Sequence, residues 1–323
     1  MVIGKKGSLG ISSLDLEAKS FSDRISERAA NGFVPDLQNL VDCDFFYKSF
    51  WRRPLYASLY FGAIVDRYIE EFSNYLGSGS TILDYGCGPG YCALELARNG
   101  FKVVGCDISE GAIAAATRRL EELRSDGEVL DIQYYCGDQG CLPKDLEVDG
   151  ILFSGVLHHL PDCMSIVSAL KKSLKPEGLV VAHEPQHEYF KYEDAKIVAM
   201  LRLFLANCGV WFESISIKDP KELEDYIESI HREYVLERDP DEKGGQSPND
   251  LSQDGRTIKK ILEAEFTIIS ANPTYSFVYR CMGGLRGDDV NTELLAKGMA
   301  AFDKGLVEAG VLNANYFMWV GKK

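Results

Sequence analysis

Positive charge is scarce in this 323-residue sequence: 35 Lys and Arg stand against 49 Asp and Glu, a formal net charge of -14. Nucleic acids and anionic membrane surfaces both require a basic face, so neither is expected as a partner. No run of about 18 apolar residues occurs, so no membrane-spanning helix is expected. The N-terminal stretch MVIGKKGSLGISSLDLEAKS lacks the apolar core of a secretion signal. No C-x-x-C pair is found among the nine cysteines, whose number is odd and several of which sit in apolar runs. They read as free thiols in a reducing compartment, hence a cytoplasmic location, rather than as a disulfide framework. With 46% hydrophobic and 26% charged residues, the composition is that of a globular protein of enzyme size.

The organisation divides by texture. Residues 1–40 are polar, mixed in charge and dotted with glycine, and read as a loosely ordered arm. Residues 41–76 are rich in aromatics, with helical spacing at Leu59, Ile64, Tyr68 and Phe72, and Pro54 is expected to divide them into two helices. From 77 to 185 short apolar runs alternate with helical patterns: TILD (81–84), KVVGCD (102–107), DIQYYCGD (131–138), VDGILFSG (148–155) and GLVVAHE (178–184). Strands alternating with helices imply right-handed crossovers and a mostly parallel sheet covered on both faces, a doubly wound α/β fold. Residues 186–253 interrupt the alternation with helical patterns at 187–212 and 221–238 and a turn-rich loop at 239–255, a helical insertion. Residues 254–323 return to the sheet with FTIIS (266–270) and NYFMWVG (315–321), making seven strands.

The informative stretch is ILDYGCGPGYCALELA (82–97), with Gly86, Gly88 and Gly90 in five positions and no Lys or Arg. A pyrophosphate turn reads G-x-G-x-x-G and offers a helix N-terminus to the anion. Here the spacing differs and Asp84 precedes the first glycine by two residues. A carboxylate there would repel pyrophosphate but favour an ammonium or a sulfonium, while the glycines still admit a ligand close to the backbone. Asp107 closes the second strand, where an ionised carboxylate can accept from both hydroxyls of a ribose. Asp138 closes the third, where an acid can accept from an exocyclic amine such as adenine N6. The expected ligand carries adenine, a free ribose and a cationic end, without phosphates. Each acid also has a plainer reading: Asp84 and Asp138 as turn residues, Asp107 as an acid at a helix start.

That ligand description fits S-adenosylmethionine (SAM), and ILDYGCGPG (82–90), GCDIS (105–109), GDQGCLP (137–143), DGILFSGVLHHL (149–160) and LKPEGLVVAHEP (174–185) together resemble the class I SAM-dependent methyltransferases of the small-molecule group. The resemblance covers about residues 80–185 and implies a Rossmann-like fold with S-adenosylhomocysteine (SAH) as product. It also implies roles. Gly86, Cys87 and Gly88 lie along the methionine portion, with Asp84 supporting the turn or the amino group. Asp107 holds the ribose and Ile108 packs on adenine. Asp138 accepts from N6 with Gln139 beside it. Ser154 offers backbone to the amino group, and His159 lies near the cofactor. Cys87 reads as a small side chain fitted to a crowded turn, and His158 as a packed histidine.

Methyl transfer asks mainly for positioning, and a base matters only when the acceptor must lose a proton. His183, Glu184 and His187, at the end of the fifth strand, are the expected candidates, His183 alternatively serving only to cap the strand. HEPQH (183–187) matches the zinc-protease pattern H-E-x-x-H, but Pro185 between the histidines is incompatible with the continuous helix this pattern needs, so no metal is expected. Aromatic residues before the sheet and after the fifth strand, Trp51 and Trp211 among them, are expected to form a lid over an apolar or aromatic acceptor. The expected activity is SAM-dependent methylation of a small organic molecule, at oxygen in view of those candidate bases. The alternatives are methylation at nitrogen or carbon and a SAM-binding protein that methylates nothing.

Overall fold

The structure, a computed structural model, describes residues 12–236 and 247–323. It begins with a helix where a loose arm was expected. Ser12 caps α1 (Ser13–Ala30): its hydroxyl accepts from the Asp15 N–H and its own N–H donates to the Asp15 carboxylate, both at 3.1 Å. Beyond α1, Asp36 is fully buried and receives Arg98 at 2.7 and 3.0 Å and Arg119 at 2.8 and 3.1 Å, which hold its carboxyl well below the usual range. The segment is therefore fastened by partners more than sixty residues away, which composition does not reveal. Residues 1–11 of the expected arm lie outside the described residues.

Pro54 does not separate two helices. It occupies the first turn of α2 (Pro54–Ala57), where its missing N–H costs nothing, and the chain continues through a π-helical turn at Ser58–Gly62 into α3 (Ala63–Tyr75). Between residue 41 and Pro54 the chain forms 3-10 turns, at Asp44–Phe46 and Phe50–Arg52, in place of the first expected helix. Then follow β1 (Thr81–Tyr85), α4 (Tyr91–Arg98), β2 (Lys102–Asp107), α5 (Glu110–Ser125), β3 (Ile132–Cys136), β4 (Val148–Ser154), α6 (Cys163–Ser173) and β5 (Leu174–Pro185). The insertion carries α7 (Tyr192–Asn207) and α8 (Pro220–Val235), and residues 239–246 of its expected loop lie outside the described residues. The chain closes with α9 (Gly255–Glu265), β6 (Thr267–Pro273), α10 (Val278–Cys281), α11 (Asp289–Glu308) and β7 (Tyr316–Lys322).

The sheet runs β3-β2-β1-β4-β5-β7-β6, with β1 to β5 parallel and β7 antiparallel to both of its neighbours. Successive strand residues feed opposite layers, as a pleated strand covered on both faces requires. Ile82, Val103, Leu152 and Val181 join α3, α4, α7 and α8 in one core. Leu83, Val104, Ile151 and Val180 join α6 and α9 in the other. The strand order reverses between β1 and β4, and doubly wound sheets bind ligands at the carboxyl ends of the strands at such a point.

Candidate active site

A cavity of about 390 Å³ opens at that reversal. Its floor is made by the residues that end or follow four strands: Tyr85, Gly86 and Gly88, Asp107 and Ile108, Asp138 and Gln139, Gly155 and Val156. The three glycines of the turn all have positive φ, for different reasons. A Cβ on Gly86 would stand 2.3 Å from Val156, and one on Gly90 2.5 Å from the Tyr134 hydroxyl, so both are packing positions. At Gly88 a Cβ would meet nothing within 4 Å, so the turn is open where Gly88 lines the cavity.

The acids are set at different depths. Asp84 is buried, and burial, followed by the charge of Asp107, pushes its carboxyl up to about 7. Its Oδ2 has no hydrogen-bond partner among the described residues, which is costly for a buried carboxyl, and Asp84 itself does not line the cavity. Asp107 accepts at 2.8 Å from the Gly88 N–H and at 2.8 Å from the Ser109 N–H, so it ties the glycine turn to the start of α5. A carboxylate has about four acceptor positions, which leaves it capacity for hydroxyl donors. Burial also raises the Asp107 carboxyl. Asp138 accepts from the Gly140 N–H at 2.8 Å and starts the turn that presents Gln139 to the cavity.

Of the residues expected from sequence, Gly86, Gly88, Asp107, Ile108, Asp138, Gln139 and His159 line the cavity together. Cys87 does not line it: its sulfur lies over Gly105, where a Cβ would be 3.1 Å away, and burial raises its thiol further. The Ser154 hydroxyl turns away to Tyr68 at 3.0 Å, while the next residue, Gly155, lines the site.

The expected bases do not line this cavity either. His183 is buried beside Thr274 (3.1 Å) and stacked on Tyr316, and burial lowers its imidazole to about 3, which keeps it neutral. His187 Nδ1 lies 3.0 Å from Asn315 Oδ1. Glu184 accepts from the Val156 and Leu157 N–H groups, both at 2.9 Å, and its other oxygen lies 2.7 Å from His158 Nδ1. It is a strut under the loop after β4, a part that strand-end position alone does not distinguish from that of a base. The HEPQH segment runs from β5 into a 3-10 turn at His187–Tyr189, so its histidines do not share a helix.

The roof is what sequence reading missed. Leu14, Glu17, Phe21, Ile25 and Arg28 of α1 close the cavity from above. The signal was present: Leu14, Phe21, Ile25 and Arg28 follow helical spacing behind a Ser-x-x-Asp start. A stripe so narrow on a polar helix gives little hydrophobic periodicity. The lid aromatics, by contrast, pack among themselves. Trp51 stacks on Tyr91 and meets Phe33 and Phe61. Trp211 lies against Gly284 and beneath the Arg202 guanidinium.

Among the described residues no helix is long and apolar enough to cross a membrane. The family model described as a methyltransferase domain matches residues 56–230, more than half of the chain. Two curated relatives are ubiquinone biosynthesis O-methyltransferases. That of Pasteurella multocida is 32% identical over 119 residues, 35% of this chain and 49% of that protein. That of Pseudomonas paraeruginosa is 33% identical over 103 residues, 32% of this chain and 43% of that protein. The chain thus spans about half the length of the curated relatives it matches, or less. A solved structure from Galdieria sulphuraria, provisionally assigned as a sarcosine dimethylglycine methyltransferase, shares the fold with a TM-score of 0.51 at 13% identity, over 94% of this chain and 98% of that one. The acid-tipped strand ends around an open glycine turn and the family match over residues 56–230 agree: the chain belongs to the methyltransferase domain family, with the Rossmann-like fold of the class I SAM-dependent enzymes.

Proposed function

We propose that the chain binds SAM in the cavity over β1 to β4 and transfers its methyl group to an oxygen of a small organic acceptor. The observation that carries this reading is one cavity lined by Asp107, Asp138 and the open Gly88, with Asp84, two residues before Gly86, buried and its Oδ2 unpartnered among the described residues. A buried carboxyl oxygen with no donor suits a cationic ligand and disfavours a phosphorylated one. Asp84 would take the charge of the amino group, directly or through the turn, and Gly86 and Gly88 would run beside the methionine chain. Asp107 would hold the ribose, Ile108 would pack on the adenine, and Asp138 with Gln139 would meet its amino edge. When bound, SAM supplies a methyl group on a sulfonium, already activated for attack. The protein's part is to aim the acceptor in line and exclude water, which proximity and a closed roof accomplish. Leu14, Phe21 and Ile25 make that roof apolar, which favours an apolar or aromatic acceptor. Oxygen is favoured because both matched relatives described above are O-methyltransferases.

The test is calorimetry with SAH, NAD and ATP, followed by methyl-labelled SAM with catechol and a panel of other phenols. SAH binding with label on a phenol oxygen is expected. Binding of NAD or ATP in place of SAH would overturn the proposal. Tight SAH binding with no label transferred to any acceptor would mark a SAM-binding protein that methylates nothing.

A further inference from the structure

We infer that His159 accepts the proton lost by the methyl acceptor, and that Glu17, carried in by α1, orients it for that task; this rests on the methyl-transfer reading above. Both side chains line the cavity and both are buried. Glu17 is an anomaly on a polar helix: at 2% exposure it is an acid taken out of water, which is costly without partners. Its partners are specific. Its Oε1 lies 3.0 Å from His159 Nδ1 and accepts from the Ser247 hydroxyl, and its Oε2 accepts from the Asn249 N–H at 2.8 Å. These bonds hold the carboxyl low despite its burial.

An ionised Glu17 fixes the proton of neutral His159 on Nδ1 and leaves the lone pair on Nε2. The edge of Phe21, 5.3 Å away between ring centres, holds the imidazole plane. Four ionisable groups face this ring. His158, with its ring centre 4.1 Å away, disfavours a charged His159, while Glu17, Asp250 and, from the end of β2, Asp107 favour it. Burial and His158 prevail, so His159 rests neutral and can accept a proton. As the acceptor oxygen bonds to the methyl carbon, the carbon–sulfur bond breaks with its electron pair remaining on sulfur, and the hydroxyl proton passes to Nε2. The imidazolium so formed is stabilised by Glu17 and returns its proton to water.

Because Glu17 rides on α1, the pair exists only while α1 is seated. That seat is built closely: Ser22 Oγ meets Ser109 Oγ at 2.9 Å, and a Cβ on Gly111 would stand 2.9 Å from Ser22 Cα. A reactive pair assembled from a roof helix couples closure over the ligands to readiness for proton transfer.

The test uses the full chain with SAH bound and nitrogen-15 histidine. The five histidines are few enough to resolve, and His159→Gln identifies the signal. Wild type should show the Nδ1–H tautomer. Glu17→Gln should lower the His159 pKa and move the acid limb of kcat for catechol methylation down by the same amount, with Glu17→Asp restoring both. His159→Gln should reduce kcat, measured at saturating SAM, about a hundredfold. An identical His159 pKa in wild type and Glu17→Gln, or wild-type turnover in His159→Gln, overturns the inference. The NMR arm needs no acceptor and decides even where catechol is not methylated. Absent SAH binding would instead refute the underlying methyl-transfer reading.

Discussion

Replacing Glu184 with Gln separates a strut from a base. Glu184 is fully buried, and its two oxygens serve the Val156, Leu157 and His158 N–H groups and the His158 ring. Glutamine keeps one carbonyl oxygen, enough for Val156 and Leu157, but sets an amide N–H₂ against His158 Nδ1, 2.7 Å away in the native chain. Losing that charge-assisted bond and leaving a buried donor unmatched should cost about 3 kcal/mol. With an unfolding entropy of about 2.1 cal/mol/K per residue over 323 residues, the melting temperature should fall by about 4–5 °C. Gly155, Val156 and His159 line the cavity from this loop, so SAH affinity should weaken severalfold along with stability. Differential scanning calorimetry and titration calorimetry measure both. A variant that melts like wild type and binds SAH normally, yet has lost turnover, would refute the strut reasoning and restore Glu184 as a base.

The glycine turn predicts a split. Gly86→Ala, with a Cβ 2.3 Å from Val156 and φ of +75°, should cost stability by about 1–3 kcal/mol, whereas Gly88→Ala, open on that side at φ +52°, should lose mainly SAH affinity. Equal effects in thermal melts and titrations would contradict this. Asp84 predicts a pH effect. Its carboxyl, raised from 3.8 to about 7, binds its proton more tightly folded than unfolded. Its contribution to the stability of the ligand-free chain is therefore full below about 3.8 and lost as pH rises through about 7. A cationic ligand prefers the ionised form, so SAH should bind more tightly at pH 8 than at pH 6 and release a proton. Titration in buffers of different ionisation heat checks this, and Asp84→Asn should abolish the release. Trp211→Ala removes a buried ring that lies beneath Arg202 and does not line the cavity, and should cost about 3–5 kcal/mol in denaturant unfolding with SAH affinity unchanged.

The residues alone determined the alternation of strands and helices, the seven strands and the acid-tipped glycine turn. These are local: a buried parallel strand is a short apolar run, and a turn that must expose backbone needs glycine wherever it lies in space. Asp107, Asp138 and Gly88 reach the cavity because strand ends in a doubly wound sheet share one edge. Only the tertiary structure decided the rest. It brought α1 over the cavity, Glu17 to Ser247 and His159, and Asp36 between Arg98 and Arg119. It also turned Glu184 beneath the loop after β4 and sent His183 and His187 to Thr274 and Asn315. A buried charge is settled by whichever partners folding delivers from distant parts of the chain. A carboxylate that acts and one that supports therefore look alike in one dimension and differ only in what lies within 3 Å.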